Sequence, residues 1–247
     1  MFRIAGALLF VALIAVPAPS ALAAENYPQN AIRLLIPFSP GGTTDILARA
    51  LQDKLDTEFG VPIVVDNRPG AGGTLGVTMA SKAAPDGYTL LVTSASYTFA
   101  PSIYKGKLGY DAVKDFKPIT NMASSPLVLG VHPSMPVRTV KELLALARKK
   151  PGEINYSSAG VGSNIHMTTE LFKHMAKINM TQVPYKSGGQ ATIALISGEV
   201  QVSITGIASA VPFIKSGQMR AIAVSTKQRA KAFPDIPSIH EAGVAGL

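Results

Sequence analysis

Short β-prone apolar runs alternate with helix-period segments through most of this 247-residue chain, and several of the runs empty into loops of glycine, serine and threonine. Alternation of this kind is the pattern of βαβ units, and it restricts the fold to the α/β class with largely parallel sheets. Strands are predicted over 33–36, 63–66, 89–93, 127–131, 154–157, 182–184, 200–205 and 220–225. Helices are predicted over 44–59, 75–84, 140–150, 164–178, 190–197 and 208–216. Thr139-Val140-Lys141-Glu142 reads as a capping box ahead of Leu143, Leu144 and Leu146. Pro151-Gly152, Ser197-Gly198 and Ser216-Gly217 read as helix stops.

One device occurs twice, far apart. A strand run over 32–36 leads into Pro37-Phe38-Ser39-Pro40-Gly41-Gly42-Thr43-Thr44-Asp45, and a run over 154–157 leads into Ser158-Ala159-Gly160-Val161-Gly162-Ser163-Asn164. Each loop opens a helix, whose first N–H groups lack intrahelical partners and lie at the positive end of its dipole, so each can hold an anion without an arginine. Two such loops in two half-chains predict a clamp around a carboxylate. Ser39, Thr43 and Thr44 add hydroxyl donors to the first. Asp45 is expected to cap N–H groups and hold the loop rigid, because a carboxylate beside a bound carboxylate repels it. His166, just inside the second helix, stands where it can hydrogen-bond a ligand.

Further turns at strand ends extend the candidate site. Gly70-Ala71-Gly72-Gly73 follows the second strand and reads as another wall, and Ser94 offers a hydroxyl after the third. In Val183-Pro184-Tyr185-Lys186-Ser187-Gly188-Gly189, Tyr185 offers a phenol and Lys186 a charge that draws anions, although a packed tyrosine and a surface lysine fit equally well.

Composition removes several function classes. Arg3, an apolar stretch over 4–16, two prolines and Ala21-Leu22-Ala23 have the order of a cleaved export signal, with the cut after Ala23. Proline breaks that stretch well short of the about 20 residues a spanning helix needs. With no cysteine there is neither a disulfide framework nor a thiolate nucleophile. The net charge is +8, but the basic residues are scattered and aromatics make up only 6%, so a nucleic-acid interface is not expected. His166 and His174 lie eight apart rather than at the helical spacing of zinc ligands, and no metal or cofactor is expected. Ser39, with His166 and Asp45 as nominal partners, is a serine-hydrolase alternative, yet Pro37 stands where a nucleophile elbow needs glycine. The expectation is a binding protein rather than an enzyme.

The less periodic stretch over 104–122 reads as a connection between two domains. Residues 24–122 with a returning tail over 226–247 form the first domain and 123–225 the second, which gives two crossings and a hinge. Ligands of open α/β sheets bind beyond the carboxyl ends of the strands, and that places the site in the cleft between the lobes.

The order of Tyr27-Pro28, Ile36 to Asp45, Asp66-Asn67-Arg68-Pro69-Gly70-Ala71-Gly72-Gly73 and Pro85-Asp86-Gly87-Tyr88-Thr89-Leu90 resembles the Bug family of extracytoplasmic receptors, which serve tripartite tricarboxylate transporters. Ser158 to Ser163, His166, Val183 to Gly189 and Gly217-Gln218-Met219-Arg220-Ala221-Ile222-Ala223-Val224 extend the resemblance across the second half. It implies a two-domain Venus-flytrap periplasmic binding protein, a monomer, that holds a di-, tri- or aromatic carboxylate and hands it to membrane permease subunits. A ligand sensor reporting to a signalling partner is the other role such a receptor fills. The implied ligand contacts are Phe38, Ser39, Pro40, Gly41, Gly42, Thr43, Asp45, Gly70, Ala71, Gly72, Ser94, Ser158, Gly160, Val161, Gly162, Ser163, His166, Tyr185 and Gly206. Many members carry an acid just after the strand over 200–205, where this chain reads Thr205-Gly206-Ile207, so a ligand without an ammonium group is expected. The stretch over 237–247 resembles the part of the family that precedes its final segment, which normally completes the first domain.

Overall fold

The computed structural model describes residues 27–244; the expected export signal lies outside the described residues. The first sheet is built from β1 (Ile32–Ile36), β2 (Ile63–Asn67) and β3 (Thr89–Leu91) in the order β2-β1-β3, all parallel. Its helices are α1 (Thr43–Phe59), α2 (Thr74–Ser81) and α3 (Ser96–Ile103), and a short 3-10 turn, Ala71–Gly73, precedes α2. Ile32, Leu34 and Ile63 pack with Leu55, Val65 and Leu90, and Ile36, Phe38 and Ala48 form a second cluster against Val65 and Val92.

The second lobe holds β4 (Leu127–Val131), α4 (Val140–Lys149), β5 (Asn155–Ser158), α5 (Asn164–Ala176), β6 (Thr181–Pro184), α6 (Gly188–Ile196), β7 (Val202–Gly206), α7 (Ile207–Lys215) and β8 (Arg220–Val224). Its strand order is β6-β5-β7-β4-β8. Every residue of β7 is buried, as expected of a central strand covered on both faces. Leu129, Leu143, Tyr156, Phe172 and Ile204 form one core, and Val128, Leu195, Val200, Met219 and Val224 the other. The capping box of α4 is formed: Thr139 Oγ1 accepts from Glu142 N–H at 3.2 Å, and the Glu142 carboxylate accepts from Thr139 N–H at 3.1 Å.

Three features differ from the sequence reading. Pairing is largely parallel, as expected, but β4 runs antiparallel to both β7 and β8, so the second sheet is mixed. Residues over 96–103 form a helix, although Pro101 lies within it. The tail does not return to the first lobe: Val224 bridges to Ser238, Ile239 and Val244 are buried in the core with Leu143 and Phe172, and Phe233 and Ile236 pack beside Met219. The physical reason is apolar burial on the open flank of β8. Among the described residues, the chain therefore passes between the sheets once, between β3 and β4.

Candidate functional site

Each glycine loop is braced by a side chain one helical turn ahead. In the first, the Gly41 N–H donates to Asp45 at 2.9 Å, and Asp45 also accepts from Arg49 at 3.0 Å and from Asn67 Nδ2 at 3.0 Å. Burial alone pushes the Asp45 carboxyl up, but the bonds from Arg49, Gly41 and Asn67 more than offset it and hold the group below its usual 3.8. In the second loop the Gly162 N–H donates to His166 Nδ1 at 3.2 Å. An imidazole nitrogen that accepts is unprotonated, and burial lowers the His166 pKa in agreement.

Other side chains of the second loop are turned inward too. Ser163 Oγ accepts from His166 N–H at 3.2 Å as the cap of α5, and Ser158 Oγ accepts from Gly160 N–H at 3.3 Å and from Gln182 at 2.7 Å. What remains for a ligand is backbone. The N–H groups of Ala159 and Val161 have no protein acceptor among the described residues, and α1 opens at Gly42 with no side-chain cap. Several expected contact residues are therefore the frame of the loops rather than their open donors.

The lobes meet along three of these loops. Gly72 sits so close to the second loop that a Cβ there would fall on the Val161 carbonyl oxygen, and its φ of +65° is itself a glycine conformation. A Cβ at Gly206 would fall on Thr43 Oγ1, and one at Gly189 would come within 3.4 Å of the Pro40 carbonyl oxygen. Tyr104, at the end of α3, donates its hydroxyl to Val161 O across the gap at 2.8 Å. The two lobes stand closed on one another, with no room for a Cβ at Gly72, against backbone, or at Gly206, against the Thr43 side chain.

Beside these contacts lies a cavity of about 550 Å³ shared by both lobes. Gly70, Ala71, Gly72 and Tyr104 line it from the first lobe, and Ala159, Gly160, Val161, Pro184, Tyr185, Lys186 and Gln190 from the second. No carboxylate side chain is among these residues. The structure thus brings the third turn and the second loop together; no residue of the first loop lines this cavity, but Pro40 and Thr43 stand against the second lobe at Gly189 and Gly206.

Some expected roles change. The Phe38 ring is buried in the first core and covered by Gly73, because its apolar surface is better satisfied there than in a polar cleft. The Tyr185 hydroxyl is buried without a hydrogen-bond partner among the described residues, and burial and the nearby Glu199 carboxylate push it up to about 12, so it keeps its proton. Ser94 pairs with Ser96 at 3.0 Å. Ser39, His166 and Asp45 form no triad, since the imidazole and the carboxylate are taken up by Gly162 and Gly41 in different lobes. Among the described residues, no three His, Asp or Glu side chains gather as a metal-binding group. Tyr104 and Gln190 were absent from the expected set. Tyr97, Ala100 and Tyr104 do have helical spacing, but Pro101 argues against a helix there and hides it.

Comparison with known proteins agrees with this architecture. The model of the family described as tripartite tricarboxylate transporter family receptor matches residues 47–247. Protein BugT of Bordetella pertussis is 35% identical over 236 residues, covering 95% of this chain and 72% of BugT. The solved structure of R. palustris Rpa4515 with adipate superposes with a TM-score of 0.86 at 35% identity, over 89% of this chain and 74% of that one. MatC from Rhodopseudomonas palustris with bound malate gives 0.83 at 32% identity, over 88% and 74%.

Proposed function

The chain belongs to the tripartite tricarboxylate transporter family of receptors, and from that premise we propose that it captures a small organic carboxylate between its lobes and delivers it, in the periplasm, to the membrane permease subunits of such a transporter. The observation that carries this reading is a glycine loop in each lobe, braced by Asp45 in the first and His166 in the second, with, among the described residues, the Ala159 and Val161 N–H groups free and α1 without a side-chain cap. An ionised carboxylate is an acceptor-only group, and helix-end N–H donors match it without a charged partner.

Ligand selection follows from what the walls lack and what fills them. No carboxylate side chain lines the cavity, so nothing there pairs with an ammonium group. Thr43 occupies the space over Gly206, so no side chain fits at that position. The ligand is a carboxylate without an amino group. Adipate and malate, bound by the two R. palustris proteins, belong to that chemical class. The anion meets one lobe, the other closes, and the second set of N–H groups completes the shell around the carboxylate. The closed monomer is the form that docks on the permease.

A thermal-shift screen of the chain from Ala24 onward against di-, tri- and aromatic carboxylates tests this. Ligand at about 100 times its Kd adds about 2.7 kcal/mol, which moves the midpoint by several degrees at about 2–4 °C per kcal/mol. A shift with one class of acid and none with aspartate or glutamate supports the reading. A cooperative melt that no carboxylate moves overturns it.

A further inference from the structure

Asn67, the last residue of β2, is tied to the first loop and to α1 by a single amide. Its Nδ2 donates to the Phe38 carbonyl at 2.9 Å and to Asp45 Oδ1 at 3.0 Å, while its Oδ1 accepts from Arg49 Nη2 at 3.2 Å. Both ends of the amide are therefore engaged, which fixes its orientation. The bond to Phe38 decides how the first loop faces. Tyr27-Pro28 is the one cis bond among the described residues, so the Phe38–Ser39 peptide is trans and its C=O and N–H point in opposite directions. With the carbonyl drawn back onto the end of β2, the Ser39 N–H faces away from it, and that N–H has no protein acceptor among the described residues. The same strand end leads into the third turn, whose Gly70, Ala71 and Gly72 line the cavity. The turn and the first loop are thus fastened to each other at Asn67.

We propose that Asn67 is a positioning residue for the ligand: it turns the Phe38–Ser39 peptide so that the first loop offers an N–H, not a carbonyl oxygen, to the anion, and it keeps the third turn in register with that loop. This rests on the carboxylate-receptor reading and adds to it a residue that acts on the ligand through the loop backbone. Without the amide, the Phe38 carbonyl loses its donor and is free to rotate toward water, where its oxygen opposes a bound carboxylate. Asp45 at the same time loses one of the donors that hold it beneath Gly41.

The test compares Asn67→Ala and Asn67→Asp with Gln52→Ala. Gln52 Nε2 donates to Ile63 O at 2.8 Å, so its loss removes an amide-to-carbonyl bond of the same kind at the other end of β2. Asn67→Asp keeps the size of the side chain and the acceptor for Arg49 and lacks the NH2. Binding is measured by calorimetry with adipate, malate, citrate and benzoate as probes, and the Ser39 amide signal is followed by NMR as each acid is added. Both Asn67 variants are expected to bind whichever acid the wild type takes about tenfold or more weakly, a step of about 1.4 kcal/mol, while Gln52→Ala stays within about twofold. The ligand-induced shift of the Ser39 amide is expected in the wild type and in Gln52→Ala and lost in both Asn67 variants. Wild-type affinity in Asn67→Asp, or an equal loss in Gln52→Ala, overturns the positioning role and leaves the carboxylate reading standing. Failure of the wild type to bind any of the four acids overturns both.

Discussion

The hydroxyl of Tyr104 donates to the carbonyl of Val161 at 2.8 Å, and that bond joins a helix end of one lobe to the glycine loop of the other. It exists only when the lobes are closed. Removing the hydroxyl in Tyr104→Phe takes away about 0.5–1.5 kcal/mol of closed-state stability. Ligand affinity is expected to fall about two- to tenfold by calorimetry while the unliganded melt scarcely moves. An affinity equal to wild type would show that the bond does not contribute to closure.

Gly72 makes the reverse case. A methyl group in Gly72→Ala would meet the Val161 carbonyl oxygen and would also strain a backbone held at φ +65°. Overpacking of this kind costs about 1–3 kcal/mol, and here the cost falls on closure. The variant is expected to fold, to give a larger radius of gyration in small-angle scattering with ligand present, and to bind at least about tenfold more weakly. Scattering identical to that of the liganded wild type would rule the contact out as a stop.

Asp45 is 3% exposed and accepts from Gly41, Arg49 and Asn67 at once. Asp45→Ala leaves the Gly41 N–H and Asn67 amide without their acceptor, at a cost of about 1.5–3 kcal/mol. Its lowered pKa gives a sign as well: the unfolded chain binds the proton first, so this stabilisation is present above 3.8 and is lost as the pH falls through the lower folded value. Denaturation curves for wild type and Asp45→Ala should draw together as the pH falls below 3.8.

His166 sets a different threshold. Its lowered pKa means that the stabilisation is complete above the ordinary 6.5 and is lost as the pH falls from there toward the folded value. A proton on Nδ1 removes the acceptor for the Gly162 N–H and loosens the second loop. Ligand affinity should drop as the pH falls below 6.5. His166→Asn, which keeps an acceptor near that place without titrating, should flatten the profile; a wild-type affinity constant over this range would exclude the role.

How much was legible before the structure depends on the kind of signal. The strand-to-loop-to-helix device around Gly41 and Gly162 is local, so composition and period revealed it, and the capping box at Thr139 is equally local. Strand direction is not local: nothing in Leu127–Val131 distinguishes an antiparallel strand from a parallel one. Nor does an aperiodic tail reveal which lobe it covers, which is decided by the flank of β8 that receives Ile236 and Ile239. Side-chain direction was the hardest to read. Ser158, Ser163 and His166 have the residue types of ligand contacts, yet a loop needs internal acceptors to keep its shape, and they supply them.

The arrangement of strands along the chain also orders assembly. All three strands of the first sheet come from one continuous stretch, Ile32 to Leu91, and pair in parallel, β1 with both β2 and β3. The second sheet is different, since Leu127 pairs with Gly206 and Val128 with Val224. Closing such long loops carries the larger entropy cost and slows pairing. During N-to-C emergence of the chain, the loop that holds Gly41 and Asp45 can therefore be in place before residues 206–224 have appeared to complete the opposing lobe. One half of the clamp matures early and waits for the other.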